Sequence, residues 1–436
     1  MPIRIAALFN AFEPVFLSAT DRRELFVVVL ANTPLMKYVK ETYNSARIIV
    51  VEWVGRVRPP LDGISFYDAI KNTDLTEKLR AYKITHFVVP HESEAMMDRW
   101  SKNTGVKLIL VDGKIQRSLE NKINFDNLLK KNKIPSPPTF QLADLLKRNF
   151  RHIPMVVQEA VSHGMYGTKF YCSGAEAYQA IRFKKQNKLL IRAYEEGVPV
   201  GVSVFLDNDG NMFFSSLRRQ CFVYQNGFPA QYLGIQWLPG DFFPSSQMTA
   251  VAVALVKLAR TLKDLGFVGI ANFDLLIKKT CVSIIECNPR LSAATPQVFS
   301  VPGLVPIRQS WKFYCRSFTD FPNRSIFSTK FPSGKFFGSE LDVDILTRSI
   351  FKKDVPKIGQ YRLDQDKITY VGKKYRLRGR GKEFFAMHDL NPQGKIEYPV
   401  TIESVFSNFP LFDLDCGSLN QDGERIVAYF RNLCLK

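Results

Sequence analysis

The sequence predicts a mixed α/β and α+β protein: a parallel α/β unit comes first and a unit rich in antiparallel strands follows. Three observations carry this. Residues 1–115 alternate short apolar runs with helical segments, the pattern of a parallel sheet with crossover helices. Residues 200–217 read as a hairpin with turn residues in its middle. Residues 267–290 read as a second hairpin, in which two apolar runs each carry one acid. At 436 residues the chain has room for two or three domains and a substantial core.

In the first unit Leu25 to Leu30 is a buried-strand run, followed by Asn32-Thr33-Pro34, a helix start with proline near its first turn. Ile48 to Trp53, His86 to Val89 and Lys107 to Val111 are further strands, separated by helical segments near 35–44, 66–81 and 93–102. No G-x-G-x-x-G follows the first strand, so a dinucleotide fingerprint is absent. Residues 117–140 give a helix, spaced by Phe125, Leu128 and Leu129, and then a proline-rich extended segment from Lys133 to Pro138.

Pro154 to Gln158 is the next strand. The loop from Ser162 to Lys169 contains Gly164, Gly167 and Thr168, and its glycines let backbone N–H groups come close to an anion. An ordinary hairpin loop is the plainer alternative. Phe170-Tyr171 is a short strand, and a helix begins after Ser173. Leu189 to Tyr194 is a strand. Val200 to Leu206, a turn at Asp207 to Asn211, and Met212 to Leu217 form the first hairpin. Arg218 and Arg219 are adjacent on a strand and so point to opposite faces; Arg218 continues the face of Phe214 and Ser216. Residues 245–266 form a helix capped by Ser245 or Ser246 and ended by Gly266. Its stripe of Val251, Leu255, Leu258, Leu262 and Leu265 belongs to the core.

In the second hairpin Phe273 to Ile277 and Cys281 to Cys287 flank the polar break Lys278-Lys279-Thr280. A turn centred near Thr280 sets Asp274 opposite Glu286, and Glu286 shares a face with Asn288. Two carboxylates among apolar strands repel each other and lose hydration, and a bound cation resolves both problems. Oxygen donors suit Mg²⁺ or Mn²⁺. Arg290 follows, placed to meet a phosphate oxygen. The alternative is a hairpin with one solvated acid on each strand. Small residues from Ser292 to Thr295 leave space beside the site, or simply pack.

Beyond residue 326 the strands Ile368 to Val371 and Tyr398 to Ile402 flank a basic run over 373–382; Pro399 suggests an edge position for the second strand. Asn420 to Leu433 is a terminal helix. The net charge of +19 suits anionic ligands or a solvated lysine-rich surface. The run has few aromatics and reads as a solvated loop before it reads as a nucleic-acid or membrane surface. No segment approaches a membrane span, and the N-terminus is not a clear signal peptide. Seven scattered cysteines without C-x-x-C imply reduced thiols and a cytoplasmic setting. Five histidines without zinc spacing argue against a zinc hydrolase.

The strings Phe273-Asp274-Leu275-Leu276 and Ile284-Ile285-Glu286-Cys287-Asn288-Pro289-Arg290 resemble the metal-binding end of the ATP-grasp superfamily, close to its carbamoyl-phosphate synthetase and biotin carboxylase branch. The resemblance covers roughly residues 20–320. It implies a Rossmann-like pre-ATP-grasp domain at 1–115 and an ATP-grasp domain at 116–325; residues 326–436 lie outside it and read as a small C-terminal α+β extension. It implies ATP with Mg²⁺ (or Mn²⁺) on Asp274, Glu286 and Asn288, with Arg290 and Arg218 as catalytic or substrate-binding cations. Asn121-Lys122 followed by Lys133-Ile134-Pro135-Ser136-Pro137 resembles the family's segment before the nucleotide, which makes Lys122 a phosphate contact. Gln158 stands where the family has lysine. Gly164, Gly167 and Thr168 would cover the triphosphate, and Ala193 and Glu195 would meet the adenine edge. The implied reaction joins a carboxylate to an amine at the expense of ATP. The implied partners are small-molecule carboxylates and amines rather than nucleic acid or membrane, with a homodimer compatible. A non-catalytic nucleotide-binding regulator and a bicarbonate-using carboxylase are the rivals.

Overall fold

The computed structural model describes residues 3–8, 25–55, 66–89, 95–162, 165, 167–185, 188–292, 294–301, 303–306, 310–319, 328, 331–332, 338–345, 356–365, 367–373, 381–387 and 400–434. Its first layer is a parallel sheet of β1 (Ile5–Leu8), β2 (Leu25–Leu30), β3 (Ile48–Val51), β4 (His86–Val88) and β5 (Lys107–Ile109), in the order β3-β2-β1-β4-β5. The sequence reading begins at β2 and misses β1, the central strand. Its four residues, two of them alanine, carry little strand signal. Around this sheet lie α1 (Pro34–Thr42), α2 (Phe66–Asn72), α3 (Leu75–Ala81) and α4 (Ala95–Thr104). The segment expected as one helix over 66–81 is therefore two. Thr73 bridges to Trp53, and the Asp74 carboxylate accepts from the Glu52 N–H, which holds the chain out of helix there.

The helix expected from 117 is likewise split into α5 (Gly113–Glu120) and α6 (Lys122–Lys131). Asn121 divides them, because its side chain accepts the N–H groups of Ile123 and Asn124. This cap makes Lys122 the first residue of α6. A small antiparallel sheet follows, built from β6 (Thr139–Phe140), β7 (Met155–Glu159), β8 (Thr168–Tyr171) and β9 (Leu189–Ala193) in the order β6-β9-β7-β8. α7 (Gly174–Ile181) packs on it.

The third sheet has eleven strands. They are β10 (Val198–Leu206), β11 (Met212–Phe214), β12 (Arg218–Gln225), β13 (Phe228–Trp237), β14 (Gly269–Ile277), β15 (Val282–Asn288), β16 (Ser339–Ile345), β17 (Gly359–Asp364), β18 (Lys367–Gly372), β19 (Glu383–Met387) and β20 (Val400–Ser407). The order is β15-β14-β10-β12-β13-β16-β20-β19-β17-β18, with β11 paired to β10. Strands from residue 339 onward thus continue the sheet begun at residue 198. β20 lies between β16 and β19, so it is not the edge strand that Pro399 suggested; Pro399 itself lies outside the described residues.

One face of β10, β14 and β15 is covered by α6 and α8 (Ser245–Asp264), with Val200, Val202, Leu275 and Ile284 joining Phe125, Leu129, Leu255 and Leu258 in one core. The N-cap of α8 is Pro244, without a side-chain cap bond, rather than Ser245 or Ser246. The opposite face is apolar toward its middle, under α9 (Thr295–Ser300) and α10 (Ser310–Arg316), and polar at its β15-β14 end. The chain closes with α11 (Gln421–Cys434). No helix of the described residues is long and apolar enough to cross a membrane. Of the basic run, Lys373 pairs with Glu41 and Lys382 with Asp422, and residues 374–380 lie outside the described residues.

Candidate active site

The β14–β15 hairpin sets Asp274 opposite Glu286 and Asn272 opposite Asn288. The register slips by one between Asp274 and Leu275, since Leu275 pairs with Ile284. Ile285 is therefore an extra residue, a bulge. In an unbulged strand of this sequence Ile284 and Glu286, two apart, would share a face. The bulge sends Ile284 into the core while Glu286 and Asn288 join Asp274 on the polar face. The sequence reading found the Asp274–Glu286 pairing but not the bulge.

That face forms one wall of a cavity of about 330 Å³; the facing small sheet supplies the other. Asp274, Glu286, Asn288 and Arg218 line it from the large sheet, and Gln158, Thr168, Ala193 and Glu195 line it from the small sheet and its exit. Gln220 Nε2 donates to Asp274 Oδ1 at 2.8 Å. Burial, and next the neighbouring Glu286, push the Asp274 carboxyl up to about 7. Lys122 is buried and sits 3.2 Å from Glu286 Oε1, while its Nζ also donates to the Ser162 carbonyl at 2.8 Å. Lys122 thus ties the loop after β7 to the acid pair.

Arg218 reaches across the sheet. Its guanidinium donates to Ser203 Oγ at 3.1 Å and Asn272 Oδ1 at 3.2 Å, and it has no carboxylate partner among the described residues. Gly201 lies between Arg218 and Asp274 in register; a Cβ there would sit 2.9 Å from Arg218 Nε, so glycine makes room for the flat guanidinium. Burial lowers the Arg218 pKa, with Asp274 opposing. Arg219 turns to the other face and donates to the Leu414 carbonyl at 2.7 Å.

Other expected residues stand elsewhere. Arg290 is not in the cavity wall; its Nε donates to Glu120 Oε1 at 2.9 Å. The Ala193 N–H already donates to the Pro138 carbonyl, so this group is not available to an adenine edge. Glu195 is held by Lys278 at 2.9 Å and by Ser283. Gly167 lies in the loop entering β8, in left-handed backbone, and Gly164 lies outside the described residues. Three residues were missed. Asn272 and Gln220 each sit two positions from a chosen residue and so share its face, a signal that period-2 reading could have used. Arg192, buried within an apolar strand, pairs with Asp126 at 3.1 Å, contacts Gln158 Oε1 at 3.4 Å and donates to the carbonyl of the bulged Ile285 at 3.0 Å.

Residues 119–294 match the sequence model of the ATP-grasp domain. The chain carries an ATP-grasp domain. No curated protein sequence matches the chain. Among solved structures it is similar to the biotin carboxylase domain of the Hydrogenobacter thermophilus 2-oxoglutarate carboxylase, a dimer bound to MgADP, ADP and bicarbonate: TM-score 0.62, 15% identity, 93% of this chain and 86% of that one. It is also similar to the Campylobacter jejuni biotin carboxylase bound to a β,γ-ATP ligand (0.61, 12%, 93% and 87%). The biotin carboxylase subunit of a pyruvate carboxylase gives 0.59, 14%, 93% and 86%. At these identities the likeness is one of fold. The matched ATP-grasp domain contains both walls of the cavity, including Asp274, Glu286 and Asn288.

Proposed function

We propose that the protein is an ATP-dependent carboxylate–amine ligase that forms ADP and phosphate. One observation carries this reading: two mutually repelling, half-buried acids, Asp274 and Glu286, face a cavity inside the matched ATP-grasp domain. The donor set fits a divalent cation. Asp274, Glu286 and Asn288 offer oxygens in their side chains, and the loss of hydration and the Glu286 repulsion that raise the Asp274 pKa are both costs that a bound cation would offset. Bound there with ATP, Mg²⁺ would neutralise charge on the transferring phosphate.

The chain's own residues do the rest. Lys122 adds a positive charge beside Glu286, and Arg218 offers an unpaired guanidinium to the substrate carboxylate. A carboxylate oxygen attacks the γ-phosphorus, ADP leaves with the bridging electron pair, and the resulting acylphosphate carbon takes an amine. Phosphate then departs and the amine proton passes to solvent. Asp126 and Gln158 hold Arg192, which fixes the bulge presenting Glu286. The backbone around Glu195 is the nearer candidate for the adenine edge, because the Ala193 N–H is engaged.

A bicarbonate-using carboxylase is the second reading, favoured by the fold likeness to biotin carboxylases over 93% of the chain, one of which holds bicarbonate. ADP release is to be followed with Mg²⁺ and ATP against pooled carboxylates and pooled amines, with and without bicarbonate. Release that needs both pools identifies the ligase. Release that needs bicarbonate and no carboxylate pool identifies the carboxylase. Nucleotide binding without ADP release under any of these conditions removes both and leaves a regulator.

A further inference from the structure

Four strands from Asp274, on the same face of the large sheet, β16 carries a second acidic pair. Glu340 lies opposite Ile235, a cavity-wall residue, and opposite Phe406 on its other side. It is 1% exposed, and neither carboxylate oxygen has a hydrogen-bond partner among the described residues. Asp342, two residues on, shares its face and accepts from Ser404 Oγ at 3.0 Å. The electrostatic neighbours of Glu340 are Asp342 and Arg218, and Tyr232 feels both acids; Arg218 and Tyr232 line the cavity. An unpaired buried carboxylate is expensive in a native fold, and an apolar side chain would fill the space between Ile235 and Phe406 at no such cost. Arg218, equally buried, has hydrogen bonds but no counter-ion. Two buried groups of opposite charge type thus lie near one another without a hydrogen bond between them: Arg218 lines the cavity, and Glu340 stands beside the cavity-wall residue Ile235.

We propose that Glu340, assisted by Asp342, is the seat for the ammonium group of a substrate, beside the anion seat at Arg218. An ammonium group supplies the donors that the Glu340 oxygens lack. This deepens the ligase reading and rests on it for the word substrate. It makes an amino compound the ligand class. The ammonium belongs either to the activated carboxylate itself, an amino acid spanning Arg218 and Glu340, or to the incoming amine.

The test is a binding measurement on the full chain without ATP, so it stands whether or not turnover is found. Thermal stabilisation is titrated with methylammonium, acetate and glycine at constant ionic strength, with sodium as the reference cation, in wild type, Glu340→Gln and Asp342→Asn. Methylammonium is expected to stabilise the wild type more than sodium does. Its affinity should fall about tenfold or more in Glu340→Gln, the loss of a charge-assisted hydrogen bond, and less in Asp342→Asn. Both variants are close isosteres, and Glu340→Gln should itself melt no lower than wild type, since it removes a buried charge. Glycine binding more tightly than acetate and methylammonium together assigns the ammonium to an amino acid substrate; independent binding of the two ions assigns it to the amine. Equal methylammonium affinity in wild type and Glu340→Gln, or no preference over sodium, overturns the proposal.

Discussion

Asp274 shows how a single side chain reports a missing partner. Its carboxyl is pushed up to about 7 first by burial and then by Glu286, while Gln220 and Arg218 pull it down. Asp274→Asn removes that repulsion, so the metal-free variant should melt higher than wild type. It should also lose the stabilisation that Mg²⁺ with a non-hydrolysable ATP analogue gives the wild type. Thermal denaturation with and without both ligands checks this; a variant still stabilised by them would remove Asp274 from the metal site. The β16 acids give a pH prediction. Burial, and next Asp344, push Asp342 up to about 7, and burial raises Glu340 as well. A folded pKa above the unfolded one means that the unfolded chain gives up its proton first. The stability Asp342 contributes is therefore fully present below about pH 4 and is lost as the pH rises through about 7, and Glu340 acts in the same direction. Urea denaturation at the two ends of this window should show a larger loss in wild type than in the Glu340→Gln, Asp342→Asn double variant. An identical loss in both would mean that neither acid carries a raised pKa. None of this was legible in the sequence, because Ser339 to Ile345 is an unremarkable alternating strand whose burial depends on β13 and β20.

At the scale of elements the decisive feature is the bulge at Ile285. The sequence shows the hairpin plainly, since Lys278-Lys279-Thr280 breaks two apolar runs and places Asp274 opposite Glu286. It does not show the bulge, because Ile284 and Ile285 are identical side chains and either could face the core. The choice is made from outside the hairpin: Arg192 on β9 takes the Ile285 carbonyl, and α8 takes Ile284. Deleting Ile285 makes Ile284 and Glu286 neighbours in a regular strand, so both keep their present faces, but it removes the carbonyl that Arg192 takes. We expect the fold and the stabilisation by Mg²⁺ and nucleotide to survive, with a loss of about 1–3 kcal/mol in denaturant titrations from the broken Arg192 bond. Loss of the nucleotide response would mean that the bulge itself, and not only the face of Glu286, shapes the site. The β13–β16 contact is similarly constrained. Gly234 has φ of +143°, and a Cβ there would overlap the Glu340 carbonyl oxygen. Gly234→Ala should destabilise the fold by roughly 2–4 kcal/mol in denaturant titrations, through backbone strain and separation of these strands. A change within experimental error would mean that the two strands part without cost.

At the scale of the molecule, the small sheet and the large sheet enclose the cavity from opposite sides, and nucleotide binding depends on holding them together. Two kinds of contact do so in the structure. Lys122 and Arg192 form polar ties at the Asp274–Glu286 end. At the other end Phe170 of β8 and Tyr194 after β9 meet Phe228 at the tip of the β12–β13 hairpin, with ring centroids 5.7 and 5.0 Å away. Phe170 and Tyr194 also touch each other at 5.8 Å, so the three rings form one half-buried clasp. Such pairs contribute about 0.5–1.5 kcal/mol each beyond area burial. Phe228→Ala removes two of them while leaving every core residue of either sheet in place. The fold should therefore survive with little change in its thermal midpoint. The closed arrangement should lose roughly 1–3 kcal/mol, which raises the dissociation constant for an ATP analogue with Mg²⁺ by about 5- to 150-fold. Calorimetric titration measures this directly, and proteolysis should cut the β12–β13 tip faster in the variant. If affinity is unchanged while the tip becomes protease-sensitive, the clasp orders the hairpin without closing the site, and closure must come from the polar ties alone. If both are unchanged, the aromatic contact does not hold the two sheets together in solution.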